Sequence, residues 1–316
     1  MATTTSITTT YSGEHAGQFI SPALLSGNTL GQEAVTIKRN VKFKEVISKL
    51  STDDLIKDAG CDFDPTSQIT KTERILQPEY QQVNLQLCKQ DYINDWQAIE
   101  MGYSAHHTLP RSFQEYLIGY VSEKVAEKTE QNLWRGVASN NGEFAGLTTQ
   151  ISSDAAQPAG QEIAGTTIDS SNVLAQLGLI VDAIPNAIYT KDDLHIYVAN
   201  NIFKAYERSL GGFGTSGLGA AGYDSKGSNQ DISPLMFEGV KLFVANGLAD
   251  NTAVAAEKSN LFFGTGLLED NQEVKIIDMA DIDGSNNVRF VMRFSAGSQY
   301  GNIEDIVTYG ITNSNN

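Results

Sequence analysis

Apolar and polar residues alternate along two stretches, Val35–Ile47 and Ile69–Ile75, with the period of two that half-buried strands show. Between them, Ser51–Ser67 carries Asp53, Asp54, Lys57, Asp58, Asp62 and Asp64 with Gly60 and Pro65. Such a segment reads as a charged, turn-rich tip, so the pattern predicts a long hairpin. Val83, Leu85 and Leu87 then share one face of a further strand. Ahead of the hairpin, Met1 to about Glu33 is rich in Thr, Ser and Gly without periodicity, and reads as an extended arm. An isolated two-stranded hairpin is marginal in water. This one must therefore lie on its own domain or on a neighbouring subunit.

The pattern changes period at Pro110. Phe113, Tyr116, Leu117, Tyr120, Val121 and Val125 form a single helical stripe, and Glu123, Lys124, Glu127, Lys128 and Glu130 fall mostly off it. Thr108 suits the cap, Pro110 the first turn and Gly136 the stop. One helix from Pro110 to Arg135 is expected, a rod on the order of 39 Å. Asn140–Thr167 is rich in Gly, Ser, Ala and Asn and reads as loop with at most short strands.

Ser171–Ile184 is a second helix, with Val173, Leu174, Leu177, Ile180, Val181 and Ile184 inward and Pro185 at its end. Leu194–Val198 is a strand, followed by an Asn200 cap and a helix from Ile202 to Leu210. After a glycine-rich loop, Gly211–Gly227, short strands are expected at Val240–Ala245, Leu261–Phe263, Val274–Asp278, Val288–Phe294 and Asp305–Tyr309. Val288, Phe290, Met292 and Phe294 share one face of theirs, with Arg289 and Arg293 on the other. The fold class is α+β.

Charge narrows the function. Lys and Arg total 22 against 38 Asp and Glu, giving a net charge of −16. That balance argues against electrostatic capture of nucleic acid, which needs clustered cations. A hydrophobic fraction of 41% is enough for a sizeable core. Two cysteines, Cys61 and Cys88, are no disulfide framework and read as free thiols in a reduced compartment. The Thr-rich, uncharged start is not a signal peptide, and no apolar run spans a bilayer.

The chemical motifs each fail in context. Gly212-Phe213-Gly214-Thr215-Ser216-Gly217 matches GxGxxG, but a helix precedes it and more glycine follows, so no pyrophosphate site forms. Asp281-Ile282-Asp283-Gly284 resembles part of a calcium loop. The register, however, puts Met279 and Phe290 where oxygen ligands belong, and a turn fits better. His106 and His107 are adjacent and chelate one metal poorly, with His15 and His195 elsewhere. Cys61 sits among Asp58, Asp62 and Asp64, the wrong setting for a reactive thiolate. No catalytic, cofactor or metal residues are assigned.

The order of these pieces resembles the Hong Kong 97-type major capsid proteins of tailed double-stranded DNA bacteriophages. Glu123–Gly146, reading EKVAEKTEQNLWRGVASNNGEFAG, is similar to their spine-helix end. Leu174–Leu210, with VLAQLGLIVDAIP and LHIYVANNIFKAYERSL, is similar to the helix–strand–helix of their axial domain. Phe237–Val244 (FEGVKLFV) and Glu273–Ser295, running into NNVRFVMRFSAG, resemble later strands. No single motif is specific; order and spacing carry the likeness.

The resemblance implies an N-terminal arm (1–34), an extended hairpin or E-loop (35–80), a peripheral domain (81–170 and 256–316) with the spine helix, and an axial domain (171–255). It implies a non-enzymatic subunit that assembles through pentamers and hexamers into an icosahedral shell around double-stranded DNA. Tip residues Asp54, Lys57, Asp58 and Asp62 would touch a neighbouring copy. The expected partners are further copies of the chain, a separate scaffolding protein, a portal and a decoration protein, with only non-specific DNA contact and no membrane. The shell would be built in the host cytoplasm and persist in the virion. An encapsulin-like cargo compartment, an acidic cytosolic enzyme and a virion tube or adaptor protein are the rival readings.

Overall fold

The computed structural model describes residues 10–12, 27–41, 43–52, 56, 58, 61, 69–88, 111–210, 236–266, 273–280 and 282–311; for 10–12, 52, 111–117 and 273 it describes the backbone alone. In chain order the elements are β1 (Thr10–Ser12), α1 (Asn28–Gly31), β2 (Thr36–Arg39), β3 (Glu45–Thr52), β4 (Ile69–Leu76), β5 (Glu79–Cys88), α2 (Arg111–Arg135), α3 (Leu147–Ser152) and β6 (Glu162–Ile163). There follow α4 (Val173–Asp182), β7 (Leu194–Val198), α5 (Asn200–Ser209), β8 (Met236–Phe237), β9 (Val240–Val244), β10 (Ala253–Glu257), β11 (Leu261–Thr265), β12 (Glu273–Asp278), β13 (Asn287–Tyr300) and β14 (Val307–Tyr309). The mixture is α+β, as expected.

Among the described residues, three sheets organise the fold. The first centres on β13, which pairs antiparallel with β12, β5 and β11; β1 extends it beyond β12, and β2 joins β11 in parallel. Val288, Phe290, Met292 and Phe294 are buried while Arg289 and Arg293 are exposed, so the alternation read from sequence is realised. On β5, Val83, Leu85 and Leu87 pack against the same core. The second sheet runs β6-β14-β10-β7-β9-β8. The third is β3 and β4 alone, paired from Glu45↔Leu76 to Thr52↔Ile69.

The long helix α2 ties the first two sheets together. Trp134 on its last turn is fully buried and lies 5.2 Å from Tyr197 of β7, in the second sheet. Just beyond it, Phe144 lies 6.3 Å from Phe263 of β11, in the first. Thr148 at the start of α3 closes the turn by donating to the Trp134 carbonyl at 2.6 Å.

Several expectations need correction. β2 belongs to the first sheet rather than to the hairpin, which starts only at Glu45. The buried side of α2 runs through Ile118, Val121, Val125, Ala126, Thr129, Glu130 and Leu133, whereas Tyr120 is 51% exposed. Phe113, Tyr116 and Leu117 are described in backbone only, and Thr108 and Pro110 lie outside the described residues. Leu174 on α4 points outward at 48% exposure. α5 begins at Asn200 itself, with Ala199 at the cap. The expected loop 140–167 contains a helix, α3, besides the short strand β6 that the reading allowed, and β10 joins the second sheet as a strand not anticipated. β14, expected with the peripheral strands, pairs with β10 in that same sheet.

A candidate self-association surface

The β3–β4 hairpin has two chemically different faces because its register places alternate residues together. Ile47, Lys49, Arg74 and Leu76 form the inner face. Leu76 is fully buried and packs on Gly264 of β11. Lys49 Nζ donates to Asn302 Oδ1 at 2.6 Å and to Glu304 Oε2 at 2.7 Å. Arg74 makes an ion pair with Asp154, just past α3, and donates to the Tyr300 hydroxyl at 3.0 Å. Tyr300 in turn donates to Asp154 at 2.7 Å. Burial alone would raise the Asp154 carboxyl, but bonds from Tyr300, the Ala156 amide and Arg74 together hold it below the usual carboxylate range. Burial and the bond to Asp154 push the Tyr300 hydroxyl the other way. A polar groove of about 640 Å³ remains between hairpin and body, lined by these same side chains.

Among the described residues, the outer face makes no side-chain hydrogen bond or ion pair to the body. Val46, opposite Ile75, and Leu50, opposite the Lys71 of a Lys71–Glu73 ion pair, form an apolar row that continues to Ile69. Val46 is 52%, Leu50 67% and Ile69 68% exposed, and Phe43 before the hairpin is 80% exposed. Ile56 at the tip and Tyr80 on β5 are exposed too. The row is broken by the Ser48–Glu73 pair and by Lys71, and its exposed apolar side chains make it a candidate interaction site.

Of the four tip residues singled out by sequence, Asp58 is exposed; Asp54, Lys57 and Asp62 lie outside the described residues. The sequence-level choice of charged tip residues overlooked the apolar row on the strands. Its signal was present, since Val46, Ser48 and Leu50 alternate with Ile47 and Lys49, leaving two faces with hydrophobic residues. The amphipathic strand reading assigned only one of them.

Among the described residues, the remaining candidates form no common site. Cys61 is exposed and Cys88 half-buried, and both are free. His195 sits half-buried on β7 with Nδ1 2.8 Å from the Asp193 carbonyl, and burial lowers its pKa. His15, His106, His107 and the GxGxxG segment 212–217 lie outside the described residues. Asp283 and Gly284 form a turn: Asp283 Oδ1 accepts from the Ser285 amide at 2.9 Å, and Gly284 takes the left-handed φ of +75° that the turn needs. Among the described residues no cluster of three metal-ligating side chains exists, and no helix is long and apolar enough to cross a membrane.

No protein-family model matches the chain, and no curated protein matches it. Solved structures do. A chain from the procapsid of satellite phage P4 is similar with a TM-score of 0.55 at 12% identity, over 93% of this chain and 99% of that one. A chain of Mycobacterium phage Cain gives a TM-score of 0.56 at 14% identity, over 90% and 91%. The capsid of Myoviridae phage XM1 gives 0.54 at 10% identity, over 90% and 91%. At such identities the likeness establishes the fold: the α+β, Hong Kong 97-type architecture that the element order resembles, across nearly the whole chain.

Proposed function

We propose that this chain is a major capsid protein, a non-enzymatic subunit that self-assembles through pentamers and hexamers into an icosahedral shell around double-stranded DNA. One observation carries the reading. The hairpin is fastened to its own body by its inner, charged face and leaves an apolar row uncovered on the outer one. A lone subunit gains nothing from that arrangement. A neighbour laid against Val46, Leu50 and Ile69 would convert the row into interface, at about 25 cal/mol per Å² of apolar area before association costs. Head-to-tail contacts of this kind close into rings. The capsid origin of the structural neighbours supports the same reading over a cargo compartment or an enzyme.

On this reading the first sheet and α2 form the peripheral part of the subunit. The second sheet with α4 and α5 forms the axial part that surrounds each ring centre. The tip residues Asp54, Lys57, Asp58 and Asp62 would contact the next copy. A separate scaffolding protein, a portal and a decoration protein are the further partners, and the net charge of −16 suits a wall that does not bind packaged DNA tightly. Assembly would take place in the host cytoplasm, with the virion as destination. Negative-stain microscopy of the purified, concentrated protein tests this. Closed shells of uniform size are expected; tubes, or particles that stay monomeric at every concentration, would refute it.

A further inference from the structure

α1 is a single helical turn, yet three elements hold the segment it belongs to. Asn28 Nδ2 donates to the Val244 carbonyl on β9. The Tyr197 hydroxyl on β7 donates to the Ala34 carbonyl. Between these, Thr29 meets α2: its amide donates to Glu130 Oε2 at 3.1 Å and its hydroxyl to Glu130 Oε1. The same hydroxyl accepts from the Trp134 indole N–H at 3.0 Å. Gly247, in the turn after β9, lies against the Glu130 backbone. Only glycine fits at 247, since a Cβ there would stand 2.1 Å from the Glu130 carbonyl oxygen. Thr29 is fully buried and Glu130 only 4% exposed. A carboxyl therefore sits where the N-terminal segment, the long helix and the second sheet meet, and nothing in the shell reading uses it.

The charges around it are of one sign. The cleft above Glu130, about 430 Å³, is lined by Glu123 and Glu127 of α2 with Gly27, Asn28, Ala126, Gln131 and Asn246. α1 presents Asn28 and Thr29, the turn after β9 presents Asn246 and Gly247, and α2 adds Trp134; among the described residues the cleft lining has no cation. The Thr29 amide and hydroxyl stabilise the carboxylate, but among the described residues lining the cleft no counter-charge offsets its burial.

We propose that Glu130 is a proton-sensitive lock on α1: taking up a proton tightens the docking of residues 27–34 onto α2 and the second sheet, and losing it loosens them. Burial raises the Glu130 pKa above the ordinary carboxylate range, against the smaller opposing effect of the Thr29 hydrogen bonds. Undocking α1 would hydrate the carboxyl and return it to that range. A raised carboxyl contributes stability that is fully present below its ordinary pKa and lost as pH rises through the folded value. Docking of α1 is therefore tightest in mild acid and weakens toward neutrality. Carboxyls held low, such as Asp154 and Glu143, act in the opposite sense at more acid pH, so the readout must be local.

The test is hydrogen exchange of the unassembled full chain between neutral and mildly acidic pH, read at the Gly31 and Ala34 amides, which bond back to Gly27 at 2.7 Å and Thr29 at 2.9 Å. The Trp134 indole N–H resonance is followed alongside, in a Trp96→Phe background. Protection factors at both amides should rise several-fold on acidification in the parent chain and stay flat in Glu130→Gln. Should Glu130→Gln fail to fold, Thr29→Val supplies the second arm. It removes a hydrogen bond that holds the carboxyl down, so the midpoint should move to higher pH. Protection independent of pH in the parent chain, an unchanged profile in Glu130→Gln, or an unmoved midpoint in Thr29→Val would overturn the proposal.

Discussion

Arg74 and Tyr300, 226 positions apart in the chain, meet face-on: the guanidinium lies 4.2 Å over the ring and also donates to the ring's hydroxyl. With Asp154 they join β4, β13 and the end of α3. This contact fastens the hairpin, and with it the apolar row, to the body.

Arg74→Ala should free the hairpin without unfolding the protein. A partly buried, charge-assisted network of this size is worth about 1–3 kcal/mol. Lys49→Ala should cost less, under about 1 kcal/mol, because its partner Glu304 is largely solvated. Limited proteolysis within residues 53–68 of the unassembled chain checks both, with faster cleavage in Arg74→Ala than in Lys49→Ala.

Acid should open the same contact. Asp154 is depressed in the folded state, so its contribution is present above the ordinary carboxylate range and lost as pH falls through the folded value. Hydrogen exchange of β4 should accelerate on acidification through that window. In Asp154→Asn the acceleration should be absent, with exchange already faster at neutral pH.

Leu76→Ala should destabilise the whole subunit. The side chain is completely buried against Gly264, and truncating such a leucine costs about 2–5 kcal/mol. Denaturant unfolding of unassembled protein measures it, with a lower midpoint at unchanged slope.

Val46→Asp combined with Leu50→Asp should have the reverse profile. Both side chains are solvated in the subunit, so the unfolding free energy should change by under about 0.5 kcal/mol. Assembly should fail, because each carboxylate would be desolvated unpaired in the contact. Sedimentation velocity gives the size distribution that decides it.

Much of this was legible in the chain. Val83, Leu85 and Leu87 on β5 and the alternation of β13 were read correctly, because strands with one wet face write their burial directly into the sequence. The length of α2 was equally plain. Its buried side was not, since Thr129, Glu130 and Asn132 are polar and buried there while the apolar Tyr120 is wet. Apolarity was the only cue, and tertiary hydrogen bonds such as Thr29 to Glu130 are invisible to it. Glu130 could have been noticed as a charge four residues from both Ala126 and Trp134. β10 escaped because Ala253–Glu257 is buried on both faces and shows no alternation. β2 was merged with the hairpin because a parallel partner 226 residues away, Thr36 with Phe262, leaves no local trace.

The most direct measurement is a cryo-electron microscopy reconstruction of particles assembled from this chain, read at one place. Val46, Leu50 and Ile69 should be covered by an adjacent copy, while Lys49 and Arg74 stay on their own body. A closed shell in which that row still faces solvent, or a protein that never leaves the monomer, would contradict the claim that the hairpin's outer face builds the assembly.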